Sequence, residues 1–288
     1  MEKIEELGEL SDISELTVTG KLNRDDWNVI NNQIKNLVLI DLGGVTCEGE
    51  FILNLNGRSR LTTAVLPPSL TTLPDGCFGY CTSLESITLP DGITTLSHRA
   101  FWRCSKLNSI HLPASLTTIK TEVFDGCAFT SFTLPPGVKI DGKNAFSGNS
   151  KLESFTFSDG IDGTEMGTYT FNECRQLHYI RLPKGVTEIP DGFLKNPDVA
   201  DFEIPQTVRK IGYQAFFEVN SPKRIVIPDG VTSIGSQCFY LSHIEEVVWP
   251  KGCTTMNSDM FRYCDKLHSV TLPETLDSLS GSGHFMGC

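Results

Sequence analysis

The sequence predicts an α/β solenoid, a right-handed coil with parallel strands along one face, mostly short strands and turns, opened by an N-terminal cap with one helix. Three observations predict it. An apolar frame recurs every 22–25 residues from Leu61 onward, strand-length apolar pieces are cut off by proline, and one amphipathic helical stretch precedes the repeats.

The frame is read by aligning the chain with itself. Leu84–Lys106, LESITLPDGITTLSHRAFWRCSK, matches the stretches that begin at Leu107 and at Leu61. The shared pattern is L-x-x-I-x-L-P-x-x-[LV]-T-x-I-x-x-x-A-F-x-x-C, and further copies begin at Phe129, Leu152, Leu177, Val199, Pro222, Ile244 and Leu267. Ten copies fill residues 61–288 and leave no room for a separate catalytic domain. Within one copy, Leu84, Ile87 and Leu89 fit a short strand with inward side chains, and Ser86 and Thr88 point the other way. Pro90 stops the ladder and Asp91-Gly92 supplies the turn. Ile93 and Leu96 carry a second extended piece inward, and Phe101 and Cys104 close the coil on a brief helical turn. One copy buries too few side chains to offset an ordering cost of roughly 1.5 kcal/mol per residue. Stability therefore belongs to the stack.

This frame resembles the leucine-rich repeats of the BspA-like type, known from surface proteins of gut and oral bacteria and from some protozoa. It differs from the commoner leucine-rich frame because proline follows the strand and cysteine takes the ladder position often held by asparagine. The resemblance implies a non-enzymatic binding or adhesion module of a bacterial cell-surface or secreted protein, recognising protein or glycan partners. The rival reading is a structural spacer with no ligand of its own.

Residues 1–60 read as the cap: strand, helix, strand. Ile13, Leu16 and Val18 give the first strand; Leu37, Ile40 and Leu42 reproduce the spacing once more. Between them Asn23 caps a helix with Asp25 and Asp26 in its first turn, where negative charge is favoured. Trp27, Ile30, Ile34 and Leu37 then share one face. The strand–helix–strand order is similar to the opening of BspA-like proteins of Bacteroides and relatives.

Charge excludes some partners. The chain of 288 residues carries 35 acidic against 24 basic side chains, a net −11, which argues against nucleic acid and against a polybasic membrane contact. No apolar run approaches the roughly 20 residues that span a bilayer. Met1–Leu10 is acidic and lacks the apolar stretch of a signal peptide, so surface or secreted localisation rests on the resemblance alone.

The ten cysteines invite a metal or disulfide reading, and their columns argue against it. Cys81, Cys104, Cys127, Cys174, Cys264 and Cys288 each lie three residues after the repeat's phenylalanine, where Asn149, Asn196, Val219 and Ser242 stand in other copies. Cys77 and Cys238 take the column of Ala100, Ala145 and Ala215, and Cys253 that of Val231 and Leu276. They read as compact buried hydrophobes. Cys47 alone has no column and reads as a thiol in the cap. The histidines His98, His111, His178, His243, His268 and His284 sit in no hydrolase or metalloprotease frame. No catalytic residue, metal ligand or cofactor is expected. The recurring Asp-Gly and Lys-Gly pairs, at Asp91, Lys184, Asp229 and Lys251, read as repeat turns.

What remains is the outward side of the strands. Thr63/Val65, Ser86/Thr88, Ser109/His111, Ser131/Thr133 and Ser154/Thr156 form a Ser/Thr track. Tyr179/Arg181, Asp201/Glu203, Arg224/Val226 and Glu246/Val248 then concentrate an aromatic ring and charges. Tyr179, Arg181, Asp201, Glu203, Arg224 and Glu246 are the candidate partner-binding face, since Tyr and Arg favour hot spots and a rigid sheet spares ordering cost. The competing expectation pairs Arg181 with Asp201, and Arg224 with Glu203 or Glu246, as a solvated face. The Ser/Thr track suits a flat or glycan-like ligand. In the last copy Leu267, Val270, Leu272, Leu276, Leu279 and Phe285 would line an open apolar face, which predicts end-to-end self-association or continuation in a longer protein.

Overall fold

The structure, a computed structural model, describes residues 10–47, 51–195, 199, 202–221 and 223–288. The chain divides into two compact units, residues 1–129 and 130–288, and both are built of parallel-strand solenoid coils.

The first unit opens with strand β1 (Glu15–Leu22), helix α1 (Arg24–Asn32) and strand β2 (Leu39–Cys47). The helix starts where Asn23 is extended and its side chain takes the amide hydrogens of Asp25 and Asp26 at 2.8 and 3.2 Å. Asp26 returns the favour by accepting from the Asn23 amide at 2.9 Å, which completes a capping box. Trp27 and Ile30 on the helix, with Ile34 and Leu37 after it, are buried on the face foreseen from their spacing. β1 pairs with β2, and β2 with β3 (Thr63–Val65), all parallel. Two further front strands, β4 (Ser86–Thr88) and β5 (Ser109–His111), pair with each other in register. At the rear of the same coils, Thr72–Leu73 pairs with Thr95–Leu96, and that with Thr118–Ile119.

The second unit repeats the plan. Its front strands are β6 (Ser131–Thr133), β7 (Ser154–Thr156) and β8 (Tyr179–Arg181), then β9 (Arg224–Val226), β10 (Glu246–Val248) and β11 (Ser269–Thr271). They form two ladders, β6–β7–β8 and β9–β10–β11. The rear strands Glu188–Ile189, Lys210–Ile211 and Ser233–Ile234 form one continuous ladder.

The alternation of the strands puts Ile87, Phe155, Ile225 and Val247 inside and their neighbours outside. Beneath them phenylalanines stack in a column in each unit. Phe78, Phe101 and Phe124 stack at 5.5 and 5.6 Å with planes 6° and 7° apart. Phe216, Phe239, Phe261 and Phe285 stack at 5.4, 5.5 and 5.6 Å. One copy shifts: the amide of Leu194 bonds to the Ala215 carbonyl as the amide of Phe101 bonds to Val123, so Leu194 takes the ring's column and Phe193 the alanine column. Asn196, placed from the sequence three residues beyond that ring, lies outside the described residues.

The cysteine columns hold, with an addition that residue size did not predict. Cys77, Cys81, Cys104, Cys127, Cys174, Cys238, Cys253 and Cys264 are buried free thiols, and Cys288 is exposed. The Cys47 side chain lies outside the described residues. In the ring-plus-three column each thiol donates to a backbone carbonyl one coil earlier: Cys104 to Phe78 at 3.0 Å, Cys127 to Phe101 at 3.3 Å, Cys174 to Phe146 at 3.1 Å, and Cys264 to Phe239 at 2.8 Å. Ser242 does the same, donating to Phe216 at 2.6 Å. In the last coil Leu279 is 54% exposed, and Leu272, Phe285 and Met286 are exposed with it.

Candidate functional site

In the second unit, β8 presents Tyr179 and Arg181 outward and buries part of Ile180 between them, as strand alternation requires. Three residues on, Pro183 ends the strand and Lys184-Gly185 turns the chain, with Gly185 at φ +76°, a conformation that suits glycine. The next coil departs from the pattern: Phe202–Glu203 occupies the front position without forming a strand. The rear stays paired there, Glu188 with Lys210 and Ile189 with Ile211. The front face is thus open where the back is closed, and a cavity of about 460 Å³ fills the opening. Ile180, Leu182, Lys184, Phe202, Glu203 and Gln206 are among its lining residues.

The charges of the candidate face are unequally committed. Arg181 donates to the Phe157 carbonyl at 2.9 Å and to Asp159 at 3.0 Å. Its described partner is therefore Asp159 in the preceding turn, a residue the outward-pair reading did not consider; Asp201 lies outside the described residues. Asp159 also accepts the Lys184 amide at 3.0 Å and meets the Lys184 ammonium at 3.6 Å. That amide first, and then the two cations, hold the Asp159 carboxyl below the usual carboxylate range. Arg224 and Glu246, directly opposite each other in β9 and β10, form an ion pair at 3.3 Å, one of the pairings the sequence suggested. Glu203 is exposed and makes no ion pair among the described residues. Tyr179 is 53% exposed, and among the described residues no hydrogen bond or ring contact engages its side chain.

The five described residues of the candidate face are divided between ladders. Tyr179 and Arg181 belong to one ladder, Arg224 and Glu246 to another, and Glu203 sits in the gap beside the cavity. Arg181, Arg224 and Glu246 are spent on neighbours, whereas Tyr179 and Glu203 are available.

Two features escaped sequence reasoning. One is the ladder gap. The other is a column of turn residues in which an aspartate grips the lysine of the next turn. Asp159 holds Lys184, and Asp229 holds Lys251 through its amide at 3.2 Å and its ammonium at 3.1 Å. The signal for it was the alternation of Asp-Gly and Lys-Gly at repeat spacing, read there only as turn chemistry.

The described residues contain no helix long and apolar enough to cross a membrane. Among solved structures, the chain is similar to a leucine-rich repeat protein from Bacteroides ovatus, at 22% identity and TM-score 0.67, over 92% of this chain and 70% of that one. It is also similar to a leucine-rich repeat protein from Eubacterium ventriosum, at 17% identity and TM-score 0.50, over 96% of this chain and 91% of that one. At these identities the likeness shows the fold. Among curated proteins none matches. The BspA type leucine rich repeat region is matched in six copies over residues 71–198 and 187–288. With most of its length inside that pattern, the chain belongs to the BspA type leucine-rich repeat proteins.

Proposed function

We propose that this chain is a non-enzymatic binding module of a bacterial cell-surface or secreted protein, engaging a protein or glycan partner through the strand-lined front of its second unit. The observation that carries this reading is that Tyr179 and Glu203, near the cavity where the front ladder is interrupted, are both exposed and engage no ion pair or side-chain hydrogen bond among the described residues. A phenol on a rigid strand contributes large contact area at little ordering cost. Arg181, held by Asp159, is preset rather than free, and it presents its remaining donor surface from a fixed position. Membership of the family supports a surface or secreted localisation. Self-association through the last coil, whose Leu279 and Phe285 are exposed, is a second partner class for the same module.

The ion pair of Arg224 with Glu246 favours the rival reading, a spacer whose front charges are mutually satisfied. A glycan array together with a pull-down from host matrix and microbial surface extracts separates the two. The binding module captures a defined partner at physiological salt; a spacer captures none.

A further inference from the structure

The first unit carries a second opening of the front ladder. β3 and β4 belong to consecutive coils, yet among the described residues no ladder joins them. Behind them Thr72 and Thr95, and Leu73 and Leu96, remain paired. The two coils are closed at the rear and splayed at the front. A cavity of about 630 Å³ occupies the wedge, within the usual range for small-ligand sites. Its floor is lowered by Ala64, which stands where the neighbouring coil has Ile87.

The lining has a definite chemistry. The hydroxyls of Thr63, Ser86 and Thr88 face it and bond to no other described residue. Val65 is 42% exposed, and with Pro68 and Pro90 it offers aliphatic surface. Asp91 contributes the one carboxylate. In the second unit the same turn position is neutralised: Asp159 grips Lys184 and Asp229 grips Lys251. The residue corresponding to those lysines after Asp91 is Ala114, and among the described residues the Asp91 carboxylate makes no ion pair.

We propose that this wedge binds a neutral saccharide unit, with the Asp91 carboxylate accepting from vicinal hydroxyls, Thr63, Ser86 and Thr88 exchanging hydrogen bonds with the rest, and Val65 and the proline rings meeting the C–H face. An extended peptide does not fit as an added strand. An intervening strand needs about 4.8 Å on each side, roughly 9.6 Å in all, whereas Cα atoms of β3 and β4 come within 8 Å of each other. A single carboxylate is too few for a hard divalent cation, which gathers several oxygen ligands of high charge. The site lies in the other unit from Tyr179 and Glu203, and its chemistry does not rest on theirs.

The test is saturation-transfer NMR on the whole chain, in chelator, with methyl glycosides of glucose, galactose, mannose and N-acetylglucosamine and with maltose and lactose as probes. A lysine ester and an extended peptide pool serve as controls. At least one saccharide is expected to receive saturation from the protein. Its affinity should fall about tenfold or more in Ala114→Lys, which supplies the missing lysine, and in Thr88→Val, which removes a hydroxyl without changing shape. Ala114 and Thr88 are exposed, so both variants should keep the circular dichroism of the parent. Tyr179→Ala should leave the saccharide signal unchanged, which keeps this site separate from the proposed partner face. Absence of transfer to every saccharide overturns the proposal. So does a signal that survives Ala114→Lys and Thr88→Val, or binding of the lysine ester or peptide pool alone.

Discussion

The thiol of Cys104 donates a hydrogen bond to the backbone carbonyl of Phe78 in the preceding coil, at 3.0 Å. The same bond recurs from Cys127 to Phe101 and from Cys264 to Phe239. It gives cysteine a role in this column beyond its size, since the coil presents a carbonyl within reach of a short side chain that carries a donor; Val219 fills the same column by size alone. Ser242, which donates to Phe216, is the natural control. The Phe78 carbonyl also accepts the Cys81 amide at 3.0 Å, so Cys104→Val should cost only about 0.5–1.5 kcal/mol, the worth of one hydrogen bond, while Cys104→Ser, which keeps a donor, should cost less. Chemical denaturation of the two variants side by side checks this ordering.

The same burial governs thiol chemistry. Desolvation pushes Cys81 and Cys264 up to about 12, and raises Cys77, Cys104, Cys127 and Cys238 as well. At neutral pH these groups are un-ionised and should react with a thiol reagent only after unfolding, whereas exposed Cys288 should react in the native protein. Their folded pKa values lie above the unfolded value of about 9, so the native state holds protons that the unfolded state releases. Stability should fall as pH rises above about 9. Reagent labelling followed by mass spectrometry, and melting temperature across the alkaline range, are the measurements.

Asp125 carries the same kind of expectation on the acidic side of neutrality. Burial raises its carboxyl to about 6, against the nearby positive charges of Arg103 and Arg99 and with the help of Glu122. The folded value lies above the unfolded one, so stability should decline as pH rises from about 4 to about 6. Asp125→Asn should flatten that segment of the pH–stability curve and leave the rest of the profile in place.

The cap should behave as a helix terminus held by its capping box. Asn23→Ala removes the acceptor for the Asp25 and Asp26 amides and should cost about 1 kcal/mol, and Asn23→Gly only a few tenths. Hydrogen exchange in Trp27 and Ile30 should accelerate in the alanine variant, while coils of the second unit keep their protection.

Much of this molecule was legible in its letters, for a physical reason. A solenoid coil touches mainly its neighbours, so periodic apolar positions such as Ile87, Phe101 and Cys104 translate directly into columns. Outward positions follow from strand alternation, which is why Tyr179, Arg181, Arg224 and Glu246 stand on strands facing out. Periodicity marks which residues face inward and not which neighbouring strands hydrogen-bond, so the openings beside β3 and β8 were invisible. It also concealed the Leu194 for phenylalanine exchange, because Phe193 next to it satisfied the pattern. The partner of Arg181 was missed because the search ran along strands, while Asp159 reaches it from a turn.

Capture of a partner by the wild-type chain and by a Tyr179→Ala, Glu203→Lys variant, compared at equal loading and physiological salt, bears most directly on the proposed face. Both positions are exposed and without an ion pair among the described residues, so the variant should fold with an unchanged melting temperature and lose the captured partner by about tenfold or more. Retention of the partner by the folded variant, or no capture by either protein, would contradict a binding role for the front of the second unit.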